Sequence, residues 1–162
     1  MSTEISTVKI GLFLVMLTLL FGIGLGVGFG VAEESIQTYI SDGVASHAGM
    51  HDEKSNGKIW RYAQRAHFHA VGIAAFSIGL VLLVMFSTLK NNLKTVAAVL
   101  IGLGGFYPLS WFTMFILAPS LGRSAAHNHI ITEIFVYIGV GGLLAGIAML
   151  CANLFFDFFS EV

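Results

Sequence analysis

Apolar residues gather in four long runs along the chain, near residues 9–32, 66–88, 95–118 and 128–156, with short polar segments between them. A helix needs roughly 20 such residues to cross the hydrocarbon of a bilayer, so each run predicts a membrane span. Together they use most of the chain and leave no room for a separate soluble domain. The predicted fold class is all-α: a four-transmembrane-helix bundle forming one integral-membrane domain over residues 1–162. The apolar part of the first run, residues 10–32, is longer than the roughly 7–15 residues of a secretory signal. It reads as a retained span.

The connections add detail. The first, about residues 33–65, is the only long one. Its stretch EESIQTYISDGVASH places Ile36, Tyr39, Ile40 and Val44 at helical spacing among polar residues, which predicts a short amphipathic helix at the membrane interface. Trp60 and Tyr62 then suit the aromatic belt ahead of span 2. The second connection, KNNLK, is tight and basic. In the third, PSLGRSAAH, Pro119 and Gly122 mark the stop of span 3. Pro108, inside span 3, predicts a kink that frees a carbonyl near Gly104. In span 1, Gly22, Gly26 and Gly30 recur four apart, as do Gly24 and Gly28. This is the small-xxx-small pattern of close helix packing in lipid, and a flat cofactor can use the same smooth surface.

Composition agrees with a lipid environment: 56% of residues are apolar and 10% charged, against about 25% charged in soluble domains. The net charge of −1 supplies no basic field for nucleic acid. Cys151, the single cysteine, cannot form an internal disulfide and reads as a small buried residue. Short connections make neighbouring spans antiparallel, so spans 2 and 4 begin at the same end. All six histidines, His47, His51, His67, His69, His127 and His129, belong to that end. It also holds Lys54, Lys58, Arg61, Arg65 and Arg123, against Lys9, Lys90 and Lys94 at the other, and raw counting puts the histidines inside. The arginines cluster around the histidines, however, and loop 1 carries Glu33, Glu34, Asp42, Asp52 and Glu53. The acid-free KNNLK is the cleaner cytoplasmic signal, so the histidine end reads as extracytoplasmic.

The chemistry lies in two short stretches, RAHFHA at 65–70 and AAHNHI at 125–130. Aligning His67 with His127 also aligns His69 with His129 and Gly79 with Gly139. This reads as a repeated helical hairpin that brings both AHxH segments to equal depth. Residues two apart on a helix lie about 200° apart, so one histidine of each pair faces the bundle interior. The His127 face continues through Ile130, Ile131, Ile134 and Ile138. The His129 face continues through Thr132, Glu133 and Val136, and Glu133 is the only acid well inside a span. His129 is therefore expected to point inward, and His69 by the repeat, with Gly72, Ile73 and Phe76 below it. Two inward imidazoles at matching depth can act as opposing axial ligands of a haem iron. Gly72, the span 1 glycines, and Gly102, Gly104 and Gly105 leave room for a macrocycle. Arg61, Arg65 and Arg123 suit its carboxylates, and Phe68, Phe106, Tyr107 and Trp111 its walls.

In this the chain resembles the membrane b-type cytochromes built as four-helix bundles. The resemblance is architectural, covers the whole chain and rests on the paired AHxH segments with their arginines. It implies haem b and electron transfer to or from quinone or a redox protein, in an electron-transfer protein or subunit more than a stand-alone enzyme. The chain departs from many such cytochromes, which hold two haems at different depths, because all its histidines sit at one end. Two other readings stay open. In one, His67, His69, His127, His129 and Glu133 bind a copper, zinc or non-haem iron ion. His47 and His51 then add ligands from loop 1, and Thr132 or Tyr137 support the site. In the other, the histidines are structural and the chain is a cofactor-free subunit of a larger complex or a homo-oligomer. Glu133 can handle protons in any of these, since burial raises a carboxyl pKa. GxSxG, Walker, HExxH and CxxC motifs are absent from the sequence.

Overall fold

A computed structural model describes residues 3–160. Its helices are α1 (Thr3–Ser46), α2 (Ser55–Phe86), α3 (Asn91–Gly102), α4 (Phe106–Leu121), α5 (Arg123–His127) and α6 (Ile130–Phe156), with 3₁₀ turns at Ala48–Met50 and Leu103–Gly105. Four stretches are long and apolar enough to cross a membrane: Ile5–Ser46, Ser55–Phe86, Asn91–Leu121 and Ile130–Phe156. The chain is an all-α, multi-pass integral membrane protein.

Span 3 is built from α3 and α4, which meet at the 3₁₀ turn Leu103–Gly105. Pro108 follows in the first turn of α4, where a missing N–H removes no intrahelical bond. The expected irregularity near Gly104 is therefore present. Span 3 is also the centre of the bundle. α1 packs on α2 and α3, α6 packs on α3 and α4, and α2 packs on α1 and α4, while α2 and α6 hardly touch.

Glycine sets these contacts. A Cβ on Gly11 would fall on the Ala98 backbone, and one on Gly139 on the Tyr107 backbone. A Cβ on Gly146 would stand 2.9 Å from the Ile101 amide nitrogen, and one on Gly142 3.1 Å from the Leu100 carbonyl oxygen. α1 and α6 thus grip α3–α4 through bare backbone from two sides. The glycine run of span 1 divides by face. Gly22 and Gly26 pack on α2, whereas Gly24, Gly28 and Gly30 have nothing within 4 Å of a Cβ position.

The amphipathic stretch of loop 1 is helical but is not a separate helix. It continues α1 beyond a kink at Ala32 (φ −134°, ψ 22°), just after the glycine run, where backbone bending costs least. Its Ile36, Ile40 and Val44 side pack into a cluster with Ile59, Ala63, Phe115, Ala118 and Ala126. Tyr39 donates its hydroxyl hydrogen bond to the Ile116 carbonyl, 2.7 Å away. The apolar face meets protein because α2 begins at Ser55, more than three turns before its apolar stretch, and offers a partner.

At the opposite end the KNNLK turn and the C-terminal residues are tied together. Lys90 N–H bonds the Phe159 carbonyl at 3.3 Å. The amide of buried Asn153 reaches Thr88 Oγ1 (3.1 Å) and the Phe158 carbonyl (3.0 Å). This places the KNNLK turn and the C-terminal segment at one end, away from loop 1.

If bare backbone contact sets the packing, Gly139→Ala and Gly146→Ala lower stability by about 1–3 kcal/mol, the usual cost of overpacking. Gly24→Ala and Gly28→Ala leave it unchanged or slightly raised. Thermal unfolding in detergent, followed by circular dichroism, separates the two pairs, and equal losses at all four positions would refute the assignment.

Candidate functional site

α2 and α6 both pack on α4 and barely meet each other, and the cleft between them at the histidine end is two separate pockets, one on α2 at His69 and one against Tyr107 and Trp111 of α4 at His127. The walls close at depth, where Ile73 of α2 and Leu143 of α6 both approach Gly104. From Phe86 back to His69 is about 26 Å of helix. In a hydrocarbon layer of about 30 Å, the cleft therefore sits just inside one boundary.

On the α2 wall, the His69 ring lies edge-on to Tyr107 (centroids 5.0 Å) and nearly parallel to Trp111 (5.8 Å, 21°). Its Nδ1–H donates to the Arg65 carbonyl one turn back, at 2.8 Å. That bond fixes the tautomer and leaves the Nε2 lone pair free. The Arg65 guanidinium lies over the Trp111 ring, 4.7 Å from its centroid. Gly72 is open beside His69, in a shallow pocket of about 220 Å³ with Phe68 and Phe76.

On the other wall, a cavity of about 270 Å³ is bordered by Tyr107, Trp111, His127, Thr132, Glu133 and Tyr137. His127 Nδ1–H donates to Asn128 Oδ1 at 3.1 Å, so its Nε2 is also left with a lone pair. The half-buried Glu133 shares the cavity. Trp111 Nε1 is buried without a hydrogen-bond partner.

The structure departs from the sequence expectation at AAHNHI, which is not continuous helix. α5 ends at His127, Asn128 turns, and His129 is the N-cap of α6, its Nδ1 accepting the Ile131 amide at 3.3 Å. The 200° spacing argument therefore fails here, and His127, not His129, joins Thr132 and Glu133. Capping also consumes the Nδ1 lone pair of His129 and places the proton of the neutral ring on Nε2. The two AHxH segments are not structurally equivalent: RAHFHA lies within the continuous helix α2, whereas AAHNHI spans the break between α5 and α6.

Other residues are placed elsewhere. His67 faces α1: its Nδ1–H donates to the Gly22 carbonyl at 2.8 Å, and its ring fills the space left by Gly26. His47 Nδ1–H bonds the Gly43 carbonyl and His51 Nε2–H the Pro119 carbonyl, both at 3.0 Å. Arg123 is held by Asp52 in a 2.7 Å salt bridge. Arg61 borders a separate surface cavity with Lys54 and Lys58. Among the described residues, no three or more His, Cys, Asp or Glu side chains converge as a metal site, so the five ligands of the ion reading are not a cluster. Sequence reasoning missed Asn128 as a helix breaker and Asp52 as the partner of Arg123. Asparagine, a poor helix former that favours turns, was the available signal for the first.

No protein-family model, no curated protein and no solved structure matches the chain.

Asp52 ties loop 1 together. It accepts from Ser55 Oγ (2.9 Å) and the Lys54 amide (3.1 Å) and pairs with Arg123. The Ser55 hydrogen bond, then the charges of Arg123 and Lys58, hold its carboxyl below the usual value. A depressed carboxylate pKa adds stability above the unfolded value of about 3.9, and that stability is lost as pH falls through the lower folded value. Acid titration monitored by tryptophan fluorescence should loosen this end of the wild type below about pH 4. Asp52→Asn should be less stable at neutral pH and show a smaller acid-dependent loss. An acid response identical in both proteins would count against the role.

Proposed function

We propose that the chain is a membrane haem b protein that carries electrons between quinone or another redox partner, with the histidine end extracytoplasmic. One observation carries the reading. His69 packs on Tyr107 and Trp111, the exposed His127 borders a pocket that the same two rings line, and each has its Nδ1–H donated to an oxygen, leaving Nε2 to bind iron. Ligating histidines are oriented in this way, the second nitrogen fixing ring and tautomer.

His69 and His127 would hold the haem, which supplies a reversible one-electron centre in a low-dielectric setting. The remaining work belongs to the chain. Arg65, at the mouth of the cleft, offers a guanidinium to a haem carboxylate. Gly72 leaves the α2 wall bare. Tyr107 and Trp111 are aromatic walls. Glu133 offers its carboxylate as a hydrogen-bond acceptor. Arg123 and Arg61 have no part in this arrangement, one being paired with Asp52 and the other lying outside the cleft.

The purified protein should show a sharp Soret band when oxidised, and α and β bands after reduction by dithionite. His69→Ala and His127→Ala should each lose most of the bound haem. His129→Ala should retain it and lose only its cap contact, at most about 1 kcal/mol. A spectrum without haem bands overturns the proposal. Haem loss in His129→Ala with retention in His127→Ala restores His129 as the ligand and shows the tautomer argument to be mistaken.

A further inference from the structure

At the start of α2, Lys54, Lys58, Arg61 and Arg65 follow one another at intervals of four, three and four. At roughly 100° per residue these positions fall within about 60° of one another around the axis, and they extend over about 16 Å. Lys54, Arg61 and Arg65 are exposed and Lys58 is half-buried. Among the described residues the one salt bridge joins Arg123 to Asp52, so none of the four is neutralised by an ion pair. Lys54, Lys58 and Arg61 surround a surface cavity of about 300 Å³ at Gly57, where the bare glycine leaves open space. Glu53 is the one acid on its rim. The acids Glu33, Glu34 and Asp42 lie on the outer part of α1, and Asp52, whose carboxylate feels the Lys58 charge, is itself paired with Arg123, so α2 carries the cations in excess.

Height decides between two anionic occupants. About 30 Å of α2 counted back from Phe86 ends near Arg65. The headgroup layer adds roughly 5–8 Å, which takes in Arg61. Lys58, about 10 Å beyond Arg65, stands past the headgroup layer with only its side chain able to turn back to it, and Lys54, about 16 Å beyond, is out of reach of lipid phosphates and in water.

We propose that the α2 extension is a docking surface for an acidic segment of a water-soluble protein, with Lys54, Lys58 and Arg61 as its contacts. The row is rigid because it rides on a packed helix: Ile59 and Ala63, on the opposite side of the same turns, are fully buried. Charges of one sign raise the encounter rate with an acidic partner and set its orientation. Arg65 ends the row at the cleft, so a protein docked there stands over its mouth. The inference does not rest on the haem reading.

The test uses the full chain in nanodiscs of zwitterionic lipid and a fluorescein-labelled oligoglutamate peptide as probe, read by anisotropy. The peptide should bind, and more weakly as salt is raised from about 50 to about 200 mM. The variant Lys54→Gln/Lys58→Gln/Arg61→Gln should bind roughly tenfold more weakly or worse, with an unchanged melting temperature. Lys90→Gln, which removes a cation from the other end, should bind like the wild type. No binding, or equal binding by the triple variant, overturns the proposal. So does retention of phosphatidylglycerol through these three residues, seen by native mass spectrometry, in a protein that ignores the peptide; the row would then be a lipid site. Each readout is independent of haem content, so this inference and the haem reading fail separately.

Discussion

In lipid, one apolar helix gains nothing by leaving hydrocarbon for another, so association depends on how closely backbones can approach. Here that approach is concentrated on span 3. Gly11 of α1 meets the Ala98 backbone, and Gly139, Gly142 and Gly146 of α6 meet Tyr107, Leu100 and Ile101. These contacts make α3–α4 the axis of the bundle and hold α1 and α6 against it. α2 and α6 both pack on this central span and hardly touch each other, and the pockets of the histidine end lie where they stay apart.

Within that frame each histidine has one ring nitrogen committed to a hydrogen bond, and the commitment decides what the other nitrogen can do. His67 is bonded to Gly22 across the α1–α2 contact and ties two helices together. His129 accepts a backbone amide and starts α6. His47 and His51 are bonded to carbonyls at the loop 1 end. His69 and His127 alone combine a donated Nδ1–H with a position beside Tyr107 and Trp111. The Trp111 indole N–H is buried without a partner, which a packed membrane core does not normally leave, and the half-buried carboxylate of Glu133 borders the same pocket as His127.

The sequence made the spans legible because a run of 20 apolar residues has few other fates. The break near Gly104 and the stop at Gly122 were legible for the same kind of reason, since proline and glycine act locally. Loop 1 was half legible: helical spacing of Ile36, Ile40 and Val44 foretold a helix, but not that it continues α1, because a 23-residue apolar stretch gives no sign of where a polar helix hinges on it. The site was less legible still. The AHxH repeat invited a helical reading twice, and it holds for RAHFHA, which lies deep in α2. It fails for AAHNHI because Asn128 turns the chain between two helices. Pairing of Arg123 with Asp52 is a contact across 71 positions of sequence, which no local pattern announces.

The central claim is that His69 and His127, and not His129, offer a free Nε2 to the cleft. Nitrogen-15 NMR of the histidine-labelled, haem-free protein in bilayers reads the protonated nitrogen of each ring directly. The account predicts Nδ1–H with a bare Nε2 at His69 and His127, and Nε2–H at His129. A bare Nε2 at His129, with Nε2–H at His127, would contradict it and return the site to the other side of the Asn128 turn.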